Sequence, residues 1–99
     1  MSHNTQKNEM DIDGRVLYVS PPKYVSERLT LMTLVLEVFD GNYSSPAPFT
    51  FKNARMDSLK GIKEGDWINC QYKLGGFKGK GDGEPKYYAE NIGVTVIKA

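Results

Sequence analysis

Lys78, Lys80 and Lys86 stand in the glycine-rich run Gly75-Gly76-Phe77-Lys78-Gly79-Lys80-Gly81-Asp82-Gly83-Glu84-Pro85-Lys86, and Tyr87 and Tyr88 follow directly. Ammonium groups attract phosphates, and flat rings accept stacked bases whatever their identity, so this pattern suits holding an unpaired polynucleotide. Bond-breaking chemistry has little to build on. His3 is the only histidine and lies in the polar start of the chain, which leaves histidine-based acid-base catalysis and histidine-ligated metals without material. The glycine run imitates two phosphate-binding patterns and fails both. Gly75, Gly79 and Lys80 fall one residue short of the Walker spacing, with Gly81 where Ser or Thr should hold magnesium. Glu84 replaces the last glycine of a dinucleotide fingerprint begun by Gly79 and Gly81. Asp11 and Asp13 share one strand face and read as a solvated surface. Cys70, the single cysteine, excludes an internal disulfide and a cysteine-based zinc cluster, and its phase predicts a buried core thiol. No catalytic residue, cofactor or metal is expected.

Ninety-nine residues suffice for one modest core, and 13 Lys and Arg against 12 Asp and Glu leave a net charge of only +1. Affinity for a polyanion must therefore come from local patterning, since the whole surface is not basic. No run approaches the ~20 apolar residues of a membrane span, and the start lacks the apolar stretch of a signal peptide. A cytoplasmic protein with no membrane partner is expected.

The elements that must position these residues follow from periodicity. Residues 1–9 are polar and aperiodic, predicting a disordered arm ahead of a single domain over 10–99. Met10 to Val19 alternates as a first strand, with Gly14 as a bulge or bend. Leu29 to Phe39 makes a second strand, with Met32, Leu34, Leu36 and Val38 on one face and Thr33, Val35, Glu37 and Phe39 on the other. After the turn at Asp40-Gly41-Asn42, Ala47 to Lys52 forms a third strand with Phe49 and Phe51 inward. Met56, Leu59 and Ile62, three apart, predict a short helix capped by Asn53. In the fourth strand Ile68, Cys70, Tyr72 and Leu74 take the inward phase, leaving Trp67, Asn69, Gln71 and Lys73 outward. Tyr87 to Lys98 is the fifth strand. Tyr18, Tyr72, Phe49 and Phe51 are expected in the core.

Three strands, a short helix and two more strands is an order that resembles the OB-fold, an all-β, five-stranded Greek-key barrel with one helix between strands three and four. Thr33-Leu-Val-Leu-Glu-Val38, Phe49-Thr-Phe51, Lys63-Glu-Gly-Asp-Trp-Ile68 and Tyr87-Tyr-Ala-Glu-Asn-Ile92 resemble the successive strand signatures of bacterial and phage single-stranded DNA-binding proteins. They resemble still more a family of small bacterial OB domains related to them. The resemblance implies non-enzymatic binding of single-stranded DNA, as in replication, recombination or repair, in a groove over strands two and three and the flanking loops. Carried onto this chain, that groove takes Lys23, Tyr24 and Arg28 from the first loop, and Phe39, Thr50 and Lys52 from the sheet. Trp67 and Lys73 join from strand four, and Phe77, Lys78, Lys80, Lys86 and Tyr87 from the long loop. RNA offers the same phosphates and stackable faces, so the residues leave it open as a ligand. Outward Val35 and Phe39 suit burial in a homodimer or homotetramer. The resembling proteins end in an acidic tail, whereas this sequence stops at Ile97-Lys98-Ala99, so recruitment through such a tail is not expected. The alternative is an OB-fold assembly module that binds other proteins and no nucleic acid, a reading favoured by the near-zero net charge.

Overall fold

Alternating Val, Leu and Phe residues dictate half-buried strands, and the strands here are bent until they close on themselves. The computed structural model describes residues 7–99, so His3 and most of the expected N-terminal arm lie outside the described residues. The elements are β1 (Met10–Val19), β2 (Lys23–Ser26), β3 (Leu29–Asp40), β4 (Tyr43–Lys52), a 3-10 helix (Asn53–Leu59), β5 (Trp67–Lys78) and β6 (Tyr87–Lys98). β1 pairs antiparallel with both β3 and β5, β3 with β4, and β5 with β6, while β4 meets β6 in parallel at Thr50 and Ile92. That circuit is a closed five-stranded OB-fold barrel, with β2 attached to β3 outside it.

The barrel is filled by Val16, Leu34, Leu36, Phe49, Phe51, Ile68 and Cys70, and Leu59 of the helix closes one end. Each of the Val, Leu, Ile and Phe side chains contributes about 1.5–3 kcal/mol by leaving water. Burial in this apolar setting pushes the Cys70 thiol up to about 12. Gly93 is buried opposite Tyr72, and a Cβ there would collide with the Phe51 ring, so the packing requires glycine.

Several local expectations change for identifiable reasons. The bulge in β1 falls at Leu17, since pairing with β3 steps from Val16↔Leu36 to Tyr18↔Val35. One extra residue reverses the phase, so Tyr18 turns outward at 49% exposure and leaves the core set expected of it. Gly14 is instead a point of close approach, where a Cβ would lie 2.8 Å from the Glu37 carbonyl oxygen. Phe49 and Phe51 are core, and Tyr72 is half-buried with its ring edge-on to Phe49 at 5.0 Å. Leu74 keeps its phase but is 52% exposed, because β5 runs on past the end of the barrel. β4 begins at Tyr43 and includes Pro46 and Pro48, whose missing N–H groups are tolerated where the strand has no partner but β3.

The helix is 3-10 over its whole length, a geometry in which residues three apart eclipse, as Met56 and Leu59 do; it ends at Leu59, so Ile62, expected on the same stripe, lies beyond it. Asn53 does not cap it. Its backbone is left-handed (φ 53°), and its side chain accepts from the Thr30 N–H (3.0 Å) and donates to the Arg28 carbonyl (3.1 Å). The amide thus ties the β2–β3 hairpin to the end of β4. Asn8, in the part of the expected arm that is described, makes a comparable double bond: it accepts from the Leu74 N–H (3.0 Å) and donates to the Leu74 carbonyl (2.7 Å).

Candidate nucleic-acid interface

β5 and β6 outlast the barrel and continue as a two-stranded ribbon, with rungs from Leu74↔Asn91 to Lys78↔Tyr87. Gly75 and Gly76 are therefore strand residues, and the connecting loop shrinks to residues 79–86. The glycines serve close packing. A Cβ on Gly75 would lie 2.6 Å from Ile92 Cδ1, and one on Gly79 would lie 2.8 Å from the Tyr88 ring. With that room available, Tyr88 settles against the backbone and stacks on Phe77, ring centroids 5.4 Å apart and planes 27° from parallel.

Alternation then sorts the ribbon's side chains. Lys73 and Phe77 share a face with Ile92, Glu90 and Tyr88, and the parallel rung Thr50↔Ile92 joins this face to outward Thr50 and Lys52 of β4. Lys52 is level with Leu31 on β3, and Leu31 with Lys23 on β2, so Lys23 extends the same surface. Lys52 donates to Glu90 Oε1 at 3.3 Å, an ion pair that leaves about a third of each side chain exposed. Lys78 shares the Tyr87 face in the last rung, and at the tip Lys78, Lys80, Lys86 and Tyr88 line a cleft of about 220 Å³ together with Asp82 and Glu84. No carboxylate lies within 4.0 Å of these three lysines or of Lys73 among the described residues, Asp82 and Glu84 included. What results is a stacked ring pair on a shallow outer face bordered by lysines, able to take a base on its rings and phosphates at its rim.

Other expected positions lie elsewhere. Tyr87 alternates to the opposite ribbon face from Phe77, and its neighbour Tyr88, absent from the candidate set, forms the ring pair instead. The signal was legible in principle, since antiparallel rungs join residues whose numbers sum to a constant. Tyr24 pairs with Thr30 and so faces away from Lys23, while Arg28 sits in the turn between β2 and β3. Phe39 and Trp67 stack on each other at 5.6 Å and 25°, but at the other end of the barrel. Trp67 and Phe77 are ten residues apart along β5, roughly 30 Å at the ordinary strand rise.

The surroundings of that second pair are acidic. Arg15 donates to Glu37 Oε1 at 2.8 Å beside it, and Asn69 bridges Asp11 and Asp13 with bonds of 2.8 and 2.9 Å. Asp66, next to Trp67, accepts from the Lys63 backbone N–H at 2.9 Å and lies 3.4 Å from Lys98 Nζ. The backbone bond first, then the Lys98 charge, holds its carboxyl below the usual 3.8. No group of three or more His, Cys, Asp or Glu among the described residues could hold a metal ion, and no helix among them is long and apolar enough to cross a membrane.

No family model and no curated protein sequence matches this chain. Solved structures do. A mitochondrial single-stranded DNA-binding protein of S. cerevisiae, Rim1, matches with a TM-score of 0.69 at 13% identity over 91% of this chain and 92% of that one. The SSB of Plasmodium falciparum, solved in complex with ssDNA, matches with a TM-score of 0.71 at 16% identity over 99% of both chains. At these identities the likeness establishes that the chain has the fold of single-stranded DNA-binding proteins.

Proposed function

We propose that this chain is a non-enzymatic OB-fold protein that holds single-stranded DNA with little sequence preference, in the cytoplasm, in the service of replication, recombination or repair. The Phe77–Tyr88 stack carries this reading, because it presents two preformed ring faces on a lysine-bordered surface. Lys23, Lys52, Lys73, Lys78, Lys80 and Lys86 would neutralise phosphates, while the rings take bases in stacking worth about 1–3 kcal/mol each. A homodimer or homotetramer is part of the proposal, with Val35 in the contact, and would set several such faces on one strand.

Filter binding of labelled oligo-dT, oligo-U and a duplex of equal length, all at low and moderate salt, tests it. Oligo-dT is expected to bind well ahead of duplex and to weaken as salt rises. Equal retention of duplex and oligo-dT, or no retention at low salt, would overturn the reading, and preference for oligo-U would move it to RNA.

A further inference from the structure

We propose that the Phe39–Trp67 stack is a docking site for an extended protein segment that sets arginine beside an apolar side chain. Both rings stand in the outward phase of their strands and are about half exposed (48% and 50%). Ile97, 54% exposed on the same side of β6, widens the apolar area beside Trp67. Exposed tryptophan in a preformed stack is the kind of anchor that dominates protein interfaces.

Charge decides the class of occupant. On the face that carries the rings, Asp13 stands two residues before Arg15 on β1 and level with Asn69 of β5, and Glu37, level with Arg15, stands two residues before Phe39 on β3. Asp11, Asp13 and Glu37 thus share the ring-bearing face with a single cation, Arg15, which is already held by Glu37, and Asp66 before Trp67 is matched by Lys98 and Lys63. A phosphate backbone would meet net repulsion here. A guanidinium, by contrast, can lie on the Trp67 face while its N–H groups reach a carboxylate, and a leucine-sized neighbour covers Phe39. A second copy sets arginine next to leucine only at Arg28-Leu29, at the tight turn between β2 and β3 and not in an extended segment. Because the site lies at the far end of the barrel from the Phe77–Tyr88 face, the inference stands independently of the nucleic-acid reading.

Trp67 is the only tryptophan, so its emission reports this site alone. The probe is an acetylated, amidated hexapeptide of alternating Arg and Leu, titrated into the full chain beside a control with Glu in place of Arg. A saturable change in Trp67 emission is expected from the Arg peptide and none from the control. Asp13→Lys and Phe39→Ala should each raise the half-saturating concentration by about tenfold or more, and replacing Arg by Lys in the peptide should weaken it. Both variants should keep the wild-type melting temperature within a few degrees, which separates loss of the site from loss of the fold. No response to the Arg peptide, or the same response in Asp13→Lys, would overturn the proposal. So would an oligo-dT titration that shifts Trp67 emission and fails in Phe39→Ala, which gives the site to nucleic acid. Sedimentation showing self-association abolished by Phe39→Ala would give it to a second copy.

Discussion

Phe77 and Tyr88 are half-exposed rings that support each other, so removal of either should cost stacking without unsettling the barrel. Phe77→Ala and Tyr88→Ala are each expected to weaken oligo-dT binding by about 1–3 kcal/mol, with melting temperatures little changed; titration of a labelled oligonucleotide reads this directly. Glu90 works the other way. It engages Lys52 at 3.3 Å within the same face, so Glu90→Gln should free an ammonium for phosphate and tighten oligo-dT binding up to about fivefold, the upper end of a partly exposed pair. Asp66 gives a pH signature unconnected with binding. Its folded pKa is depressed, so its stabilising effect is complete above the unfolded value near 3.8 and is lost as pH falls through the lower folded value. Thermal melts should therefore show Asp66→Asn below wild type at neutral pH, and the gap should narrow on acidification below that range.

The ribbon and the barrel were legible to different degrees because alternation reports phase but not where a strand ends or slips. Leu34, Leu36, Phe49, Phe51, Ile68 and Cys70 fall inside as their spacing predicts, since two-residue periodicity against a buried face tolerates no slip. Tyr18 escaped that logic, because nothing in Val16-Leu17-Tyr18 marks the bulge that reverses it. Gly75 and Gly76 suggested a loop, yet they are strand residues whose missing side chains make room for Ile92 and the opposite backbone. Asn53 was legible as a special residue but not in its role, which depends on the β2–β3 hairpin reaching it from more than twenty residues away. Gly93 puts the packing to the test at this scale. Gly93→Ala should destabilise the fold by about 1–3 kcal/mol or more through collision with Phe51, seen as a lower urea midpoint with an unchanged slope. The same opening can be followed through Cys70, whose buried, high-pKa thiol should resist a thiol reagent in wild type and label faster in that variant.

Viewed whole, a chain of net charge +1 carries both signs at both ends but pairs them differently: among the described residues Lys73, Lys78, Lys80 and Lys86 of the ribbon have no carboxylate within 4.0 Å, whereas Arg15 and Lys98 near Phe39 and Trp67 are held in ion pairs. Composition hides this difference, and only the register of β1, β3, β5 and β6 reveals it. The same register divides the candidate residues, Phe39 and Trp67 going to the far end while Lys52, Lys73 and Phe77 meet at the ribbon end. Salt dependence should follow the ribbon end alone. Lys78→Glu with Lys80→Glu is expected to lower the slope of log affinity against log salt by about 0.7 for each phosphate that is no longer neutralised. Where a strand lies on the molecule is read most directly by titrating oligo-dT into the isotope-labelled protein and following backbone amide shifts. Large shifts are expected over residues 75–79 and 86–92 and at Thr50 and Lys52, with Asp13, Phe39 and Trp67 unmoved; shifts centred on Phe39 and Trp67, or none on the ribbon, would contradict a strand held at the ribbon end.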